Sequence, residues 1–166
     1  MMELPWKRFS VRSLVSLPSS ERNELLRRVT EAQAKELRET WSFWARDEQW
    51  EPEGDWRIWL LLGGRGAGKT RAGAEWIAGE IRRRRAKRVG LIAATHSDAR
   101  MVMIEGPSGL LSVSEGAEYE PSLRRVRWPG LGAEASVMSA DDPDSIRGYQ
   151  FELCWGDGDR APRRKR

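Results

Sequence analysis

The chain has 166 residues, enough for one domain or for two small ones. Hydrophobic residues make up 39% and charged residues 33%, a composition that excludes an intrinsically disordered protein. No apolar run reaches the ~18–20 residues that span a bilayer, and no signal peptide is visible at the start of the chain. The single cysteine, Cys154, excludes an internal disulfide and a cysteine-based metal site, so a cytoplasmic location is expected.

The formal net charge of +4 is concentrated at the end of the chain. Residues 160–166 hold five of the 29 basic residues and none of the 25 acidic ones, which leaves a net charge of −1 for residues 1–159. Overall basicity therefore does not indicate nucleic-acid binding. A local basic run, Arg82 to Arg85, has two interpretations: favourable charge at the end of a helix, or a DNA contact.

The first third of the chain is predicted to be a lead-in followed by a helix. Residues 1–18 are expected to be irregular and to end at Pro18. Leucines, a valine and tryptophans then recur at helical spacing as far as about Asp47, with Ser19 or Ser20 as the helix cap. This pattern predicts one long helix.

The remaining residues alternate between strand and helix patterns. Residues 56–62 form an apolar run of strand length, and a helix is predicted over residues 68–85. Residues 89–95 resemble a buried parallel strand, and residues 97–105 a helix. A hairpin is expected around Pro129 to Gly132, and a last short strand is expected over residues 151–155. The order predicts an α/β domain with a mostly parallel sheet flanked by helices.

The strongest motif is the segment 63–70, which matches the Walker A pattern G-x-x-x-x-G-K-[ST]. Glycines let the backbone N–H groups of such a loop face a phosphate, and the helix that follows adds its positive end. In this pattern the lysine reaches the β- and γ-phosphates and the hydroxyl binds Mg²⁺. The alternative is a glycine-rich turn with an ordinary lysine. The candidate ATP-binding residues are Gly63, Gly64, Arg65, Gly66, Ala67, Gly68, Lys69 and Thr70.

A Walker A loop requires a carboxylate at the end of a neighbouring strand, where it holds Mg²⁺. The segment 151–157 fits, and Asp157 is the candidate carboxylate, which together with Thr70 gives a two-residue metal site. Because Glu152 interrupts the apolar run, an edge strand that ends in a polar turn is the alternative.

Residues 56–76, 98–111 and 147–150 resemble the N-terminal part of a bacteriophage or gene-transfer-agent large terminase, a DNA-packaging ATPase. The resemblance covers about residues 40–157 and implies a P-loop NTPase fold. It implies that Gln49 reads adenine, that Arg65 stabilises the γ-phosphate, and that Arg147 reaches the ATP of a neighbouring subunit. For each of these residues the alternative is an ordinary surface side chain. Lys69, Arg65 and Arg147 are thus the candidate catalytic residues.

The resemblance weakens at the end of the chain. Large terminases follow the Walker B aspartate with a catalytic glutamate, whereas Gly158 follows Asp157 here. The expected organisation is a lead-in and long helix at 1–50, a partial ATPase core at 51–157, and a basic tail at 158–166. We therefore expect a chain truncated after the Walker B strand, with doubtful hydrolysis.

The resemblance also implies partners and a setting. The expected ligands are ATP and Mg²⁺, and the expected partners are double-stranded DNA, the small terminase subunit and the portal. A ring oligomer and a bacterial host or prophage follow from the same family, and no membrane is expected. Alternative functions are a non-enzymatic nucleotide-binding remnant that contacts a partner protein, or an unrelated P-loop kinase.

Overall fold

The computed structural model describes residues 10–158, except for the side chain of Ser145. The chain divides into two compact units after Leu61. Residues 1–9 and the end of the basic tail, 159–166, lie outside the described residues. In the described part, no helix combines the length and the apolarity needed to cross a membrane.

The first unit contains short helices where one long helix was predicted. Thr30 interrupts the predicted helix: its side chain accepts a hydrogen bond from the backbone N–H of Gln33, and the Gln33 side chain accepts one from the N–H of Thr30. This capping box begins a new helix, although the apolar spacing continues across it. The expected irregular lead-in is also wrong beyond Ser10, which caps the first helix. The helices are α1 (Val11–Ser16), α2 (Ser19–Arg28), α3 (Glu31–Glu39) and α4 (Trp41–Trp44), followed by a 3₁₀ turn (Asp47–Gln49).

The apolar run 56–62 does not form the predicted strand. Three of its four aliphatic side chains, those of Ile58, Leu60 and Leu62, lie in solvent, and Ile58 is 85% exposed. A strand needs a neighbour for its backbone N–H and C=O groups, and among the described residues no strand pairs with this run. Apolar composition alone therefore predicted the wrong structure.

The second unit is built on a five-stranded sheet of order β2-β3-β4-β1-β5. β1 lies at the centre of its parallel part, between β4 and β5. The pairs β2–β3 and β3–β4 are antiparallel, and the β3–β4 pair is the predicted hairpin. The sheet is thus mixed, and the prediction of a mostly parallel sheet is wrong. The strands are β1 (Arg88–Ala93), β2 (Glu118–Glu120), β3 (Arg125–Trp128), β4 (Ala133–Ser139) and β5 (Leu153–Gly156).

The helices of the second unit bury one apolar core against this sheet. The predicted helix after the glycine-rich loop is confirmed as α5 (Lys69–Arg82), and Ala74, Ile77 and Ile81 on it are fully buried. They join Val89 and Leu91 of β1 in the core. The other helical segments are α6 (His96–Asp98), a π-helical turn (Ala99–Ile104) and α7 (Leu110–Val113).

Gly73 determines how closely α5 approaches β5. A Cβ atom at this position would lie 2.4 Å from the indole ring of Trp155, a separation that real Cβ atoms do not show. Trp155 is buried and belongs to the same core. The absence of a side chain at Gly73 therefore lets the indole pack against the helix backbone.

We predict that Gly73→Ala and Gly79→Ala have opposite effects on stability. Both glycines lie inside α5, where alanine is favoured over glycine by roughly 1 kcal/mol. Gly73→Ala should destabilise the fold by about 1–3 kcal/mol, because the new methyl group overpacks Trp155. At Gly79 the nearest atom is the flexible end of Arg83, 3.4 Å away, so alanine should stabilise the fold. Urea denaturation of both variants measures the difference, and equal effects would contradict the assigned contact.

Candidate functional site

The glycine-rich segment forms a loop that leads directly into α5. Gly66 and Gly68 have φ angles of +77° and +72°, in the left-handed region that favours glycine. Gly68 is the residue that precedes the first turn of α5. A Cβ at Gly63 would lie 2.8 Å from that of Ala67, whereas a Cβ at Gly64 would meet nothing within 4 Å. The loop is therefore tightly curled and has open space beside it, which fits an anion at a helix N-terminus.

Lys69 folds back over this loop. Its Nζ donates hydrogen bonds to the backbone oxygens of Gly63, at 2.8 Å, and Gly64, at 3.0 Å. The ammonium group is thus held by neutral carbonyls at the mouth of the loop. An anion in the loop would be a stronger acceptor for the same donors, since charge-assisted hydrogen bonds are about twice as strong as neutral ones.

Thr70 and Asp157 meet although 87 residues separate them in the chain. The Thr70 hydroxyl donates to Asp157 Oδ2 at 2.7 Å. Asp157 directly follows β5, and its backbone N–H donates to the oxygen of Ile92 at 2.9 Å, which anchors it to β1. The first turn of α5 and the carboxyl end of β5 therefore place a hydroxyl and a carboxylate side by side.

These two groups fit a magnesium ion. Mg²⁺ prefers oxygen ligands, uses one or two protein groups, and completes its shell with water and substrate phosphates. Over residues 10–158, no group of three or more His, Cys, Asp or Glu side chains is placed to hold a metal by itself. A magnesium ion held by Thr70 and Asp157 would take its remaining oxygen ligands from water or from a substrate phosphate.

The structure does not bring the candidate arginines to this pair. Arg65 is exposed in the loop. Arg147 lies in the connection between β4 and β5, where its guanidinium pairs with Asp144 at 3.1 Å and is 85% exposed. An exposed position is compatible with a role in a neighbouring subunit, and this role stays a prediction.

Gln49 is buried in the first unit, contrary to the alternative of a surface glutamine. It is 7% exposed, and its side-chain oxygen accepts a hydrogen bond from the N–H of Arg46 at 3.0 Å. This bond closes the 3₁₀ turn. The expectation that Gln49 reads adenine stays a prediction, and its local function is to cap this turn.

Glu152 is a structural residue that the sequence interpretation missed. Its Oε2 accepts hydrogen bonds from the backbone N–H groups of Lys87, at 2.6 Å, and Arg88, at 3.2 Å. These bonds, with the Arg88 guanidinium 3.5 Å away, lower the pKa of the Glu152 carboxyl. The glutamate that interrupts the apolar run therefore fixes β5 beside β1.

The comparison with known families decides the affiliation. Residues 60–159 match the family described as "Terminase large subunit, T4likevirus-type, N-terminal". The chain belongs to this terminase family. The match covers more than half of the chain and includes the loop, Thr70 and Asp157. No curated protein and no solved structure matched the chain.

The family has a known general activity. Large terminase subunits are ATPases as a family, and they act in bacteriophage DNA packaging with DNA and other packaging components. The loop and the Thr70–Asp157 pair both lie inside the matched range. Residues 10–59, which include Gln49, lie outside it.

We predict that Glu152→Gln makes the fold less sensitive to acid. A lowered pKa in the folded state means that the ionised carboxylate stabilises the fold at pH values above the ordinary pKa of a glutamate. This contribution is lost as the pH falls through the lower, folded pKa. The variant should therefore be less stable at neutral pH and lose less stability below about pH 4.

Urea denaturation of this terminase variant at several pH values measures the effect. Glu118→Gln is the matched control, because Glu118 is exposed on β2 and its side chain makes no hydrogen bond or ion pair with another described residue. The assigned role of Glu152 would be wrong if the two variants had the same pH profile.

Proposed function

We propose that this terminase chain binds Mg·ATP at the loop 63–70. The observation that carries the proposal is the 2.7 Å contact between the Thr70 hydroxyl, in the first turn of α5, and Asp157, directly after β5. A phosphate loop and its metal carboxylate must meet in this way. The open space beside Gly64 and the position of Lys69 over the loop support the same ligand.

Each residue of the site has a distinct role in this proposal. The backbone N–H groups of the loop bind phosphate oxygens, and the Lys69 ammonium binds the β- and γ-phosphates. Thr70 and Asp157 hold Mg²⁺, which would neutralise developing phosphate charge. Arg65 and Arg147 are proposed to stabilise the γ-phosphate from within the chain and from a neighbouring subunit.

The same proposal assigns the chain to a packaging assembly. By family, its partners are double-stranded DNA, the small terminase subunit and the portal, and the working form is a ring of subunits. The exposure of Arg147 supports a ring, since a residue that acts on a neighbour must lie at the surface.

The first test is a thermal shift with Mg·ATP. A ligand that binds only the folded state adds about 2.7 kcal/mol at a concentration of 100 Kd. For a chain of this size, this corresponds to a rise in Tm of roughly 5–10 °C. Lys69→Ala should abolish the shift, because it removes the positive charge that would contact the phosphates.

Two further variants sharpen this test. Lys35→Ala removes an exposed lysine of α3 that belongs to neither proposed binding surface, and it should keep the full shift. Asp157→Asn should retain a shift with ATP alone but lose most of the added effect of Mg²⁺, since the amide is a poorer metal ligand. A normal Mg·ATP shift in Lys69→Ala would exclude the assigned loop.

We further propose that the chain binds the nucleotide without useful turnover. A group that orients the attacking water contributes about 10²–10⁴ in rate, and Gly158 has no side chain to do this. A Cβ at Gly158 would meet nothing within 4 Å, so a larger residue fits there. The Asp157 carboxylate is already assigned to the metal.

Phosphate release at saturating Mg·ATP tests this idea on the unmodified chain and on Gly158→Glu. The glutamate should raise the rate, because it restores the water-orienting carboxylate. Gly158→Gln is the control with equal bulk and no charge. Turnover of about one per second or faster in the unmodified chain, within the normal enzyme range, would refute the proposal.

A further inference from the structure

A concentrated basic surface lies at the opposite end of α5 from the phosphate loop. Six of the seven residues from Arg82 to Arg88 are arginine or lysine, and we call this segment the basic edge. It spans the last residue of α5 and the first residue of β1. Because α5 has 14 residues, its two ends lie about 21 Å apart.

Only part of this charge is neutralised within the second unit. Glu80 pairs with Arg83 and Arg85, at 3.0 and 3.4 Å, and Glu152 pairs with Arg88. In the part of the chain that the structure describes, the side chains of Arg82, Arg84 and Lys87 have no acidic partner. All three residues are exposed, so their charge faces solvent.

The backbone of Arg84 adds a second observation. The N–H of Arg85 donates to the oxygen of Glu80, and that of Arg84 to Ile81, each at 2.9 Å. These bonds form a Schellman motif in which Arg84, at φ +58°, holds the left-handed position that glycine normally fills. A side chain there costs roughly 1–2 kcal/mol. The arginine thus opposes the local backbone preference, and such strain clusters at functional sites.

An exposed aromatic face lies at the same end of the sheet, where the parallel strands β1 and β5 begin. Tyr149 is 54% exposed and stacks on Phe151, with ring centroids 5.2 Å apart and planes 13° apart. Since β5 runs parallel to β1, the residues before β5 lie beside the start of β1. Tyr149, Phe151 and Arg88 line a shared pocket of about 230 Å³.

We propose that the basic edge and Tyr149 together bind single-stranded nucleic acid. Solvent-facing arginine and lysine side chains match a phosphodiester backbone, and an exposed aromatic ring offers a stacking surface for an unpaired base. An acidic protein partner would need an apolar centre of contact on this surface. Among the described residues, Tyr149 is the only exposed large apolar side chain that this surface offers, so a protein partner is disfavoured. The proposal is independent of the nucleotide site.

The test measures the fluorescence anisotropy of a labelled 20-nucleotide thymidine strand with the full chain at several salt concentrations. The double variant Arg82→Gln, Arg84→Gly should bind about tenfold more weakly. The plot of log association constant against log salt concentration should become less steep by about 1.4, since two phosphate contacts are lost and each contributes about 0.7 with a single strand. Arg84→Gly should not lower Tm, because glycine relieves the left-handed strain, so loss of binding is not loss of fold.

The basic tail supplies a matched control. Arg163→Gln, Arg164→Gln changes the net charge by the same two units and should weaken binding less than the edge variant. An equal loss in both double variants would mean that binding follows net charge, and would overturn the proposal.

Tyr149 separates stacking from charge. Tyr149→Leu should weaken binding of the thymidine strand about tenfold, a typical loss for one stacked base, and Tyr149→Phe should retain it. Neither variant should change the binding of an abasic strand of equal length. The proposal of a single-strand site would be overturned if a duplex bound as tightly as the single strand and Tyr149→Leu had no effect on binding. Equal displacement by poly-glutamate would assign the surface to an acidic protein instead.

Discussion

The packing of Trp155 against the backbone of α5 at Gly73 is the contact on which the candidate site depends. Trp155 lies two residues before Asp157, and Gly73 lies three residues after Thr70. The contact that buries the indole therefore also sets the distance between the hydroxyl and the carboxylate. A core residue thus determines whether two distant parts of the chain can place a hydroxyl and a carboxylate in contact.

The second unit could be predicted from the sequence to a large extent. The helix after the loop, the central strand β1 and the β3–β4 hairpin all have clear apolar periodicity or turn residues, and each is present. The antiparallel strand β2 could not be predicted, because Glu118–Glu120 is short, polar and paired at a sheet edge. The error at 56–62 has the opposite cause, since strand-like composition does not supply a pairing partner.

The site shows the same division between local and distant information. The loop and Asp157 could be proposed from local patterns, the loop from residue types at fixed spacing and Asp157 from its place after a short apolar run. Glu152 is invisible to such reasoning, since its backbone partners lie 65 and 64 residues away and no local pattern points to them. The capping function of Gln49 was missed because a capping box is weakly specified by composition alone.

The two outer strands of the sheet, β2 and β5, differ in the charge of their side chains. At one edge, Glu120 of β2 is tied to Arg125 and Arg127, and such charges discourage the addition of another strand. At the other edge, β5 carries no charged side chain, and Asp157 directly follows it. Any element that covers β5 would thus lie beside Asp157, the proposed metal ligand. Binding at this edge and binding in the phosphate loop would then be thermodynamically coupled, each changing the affinity of the other by the same factor.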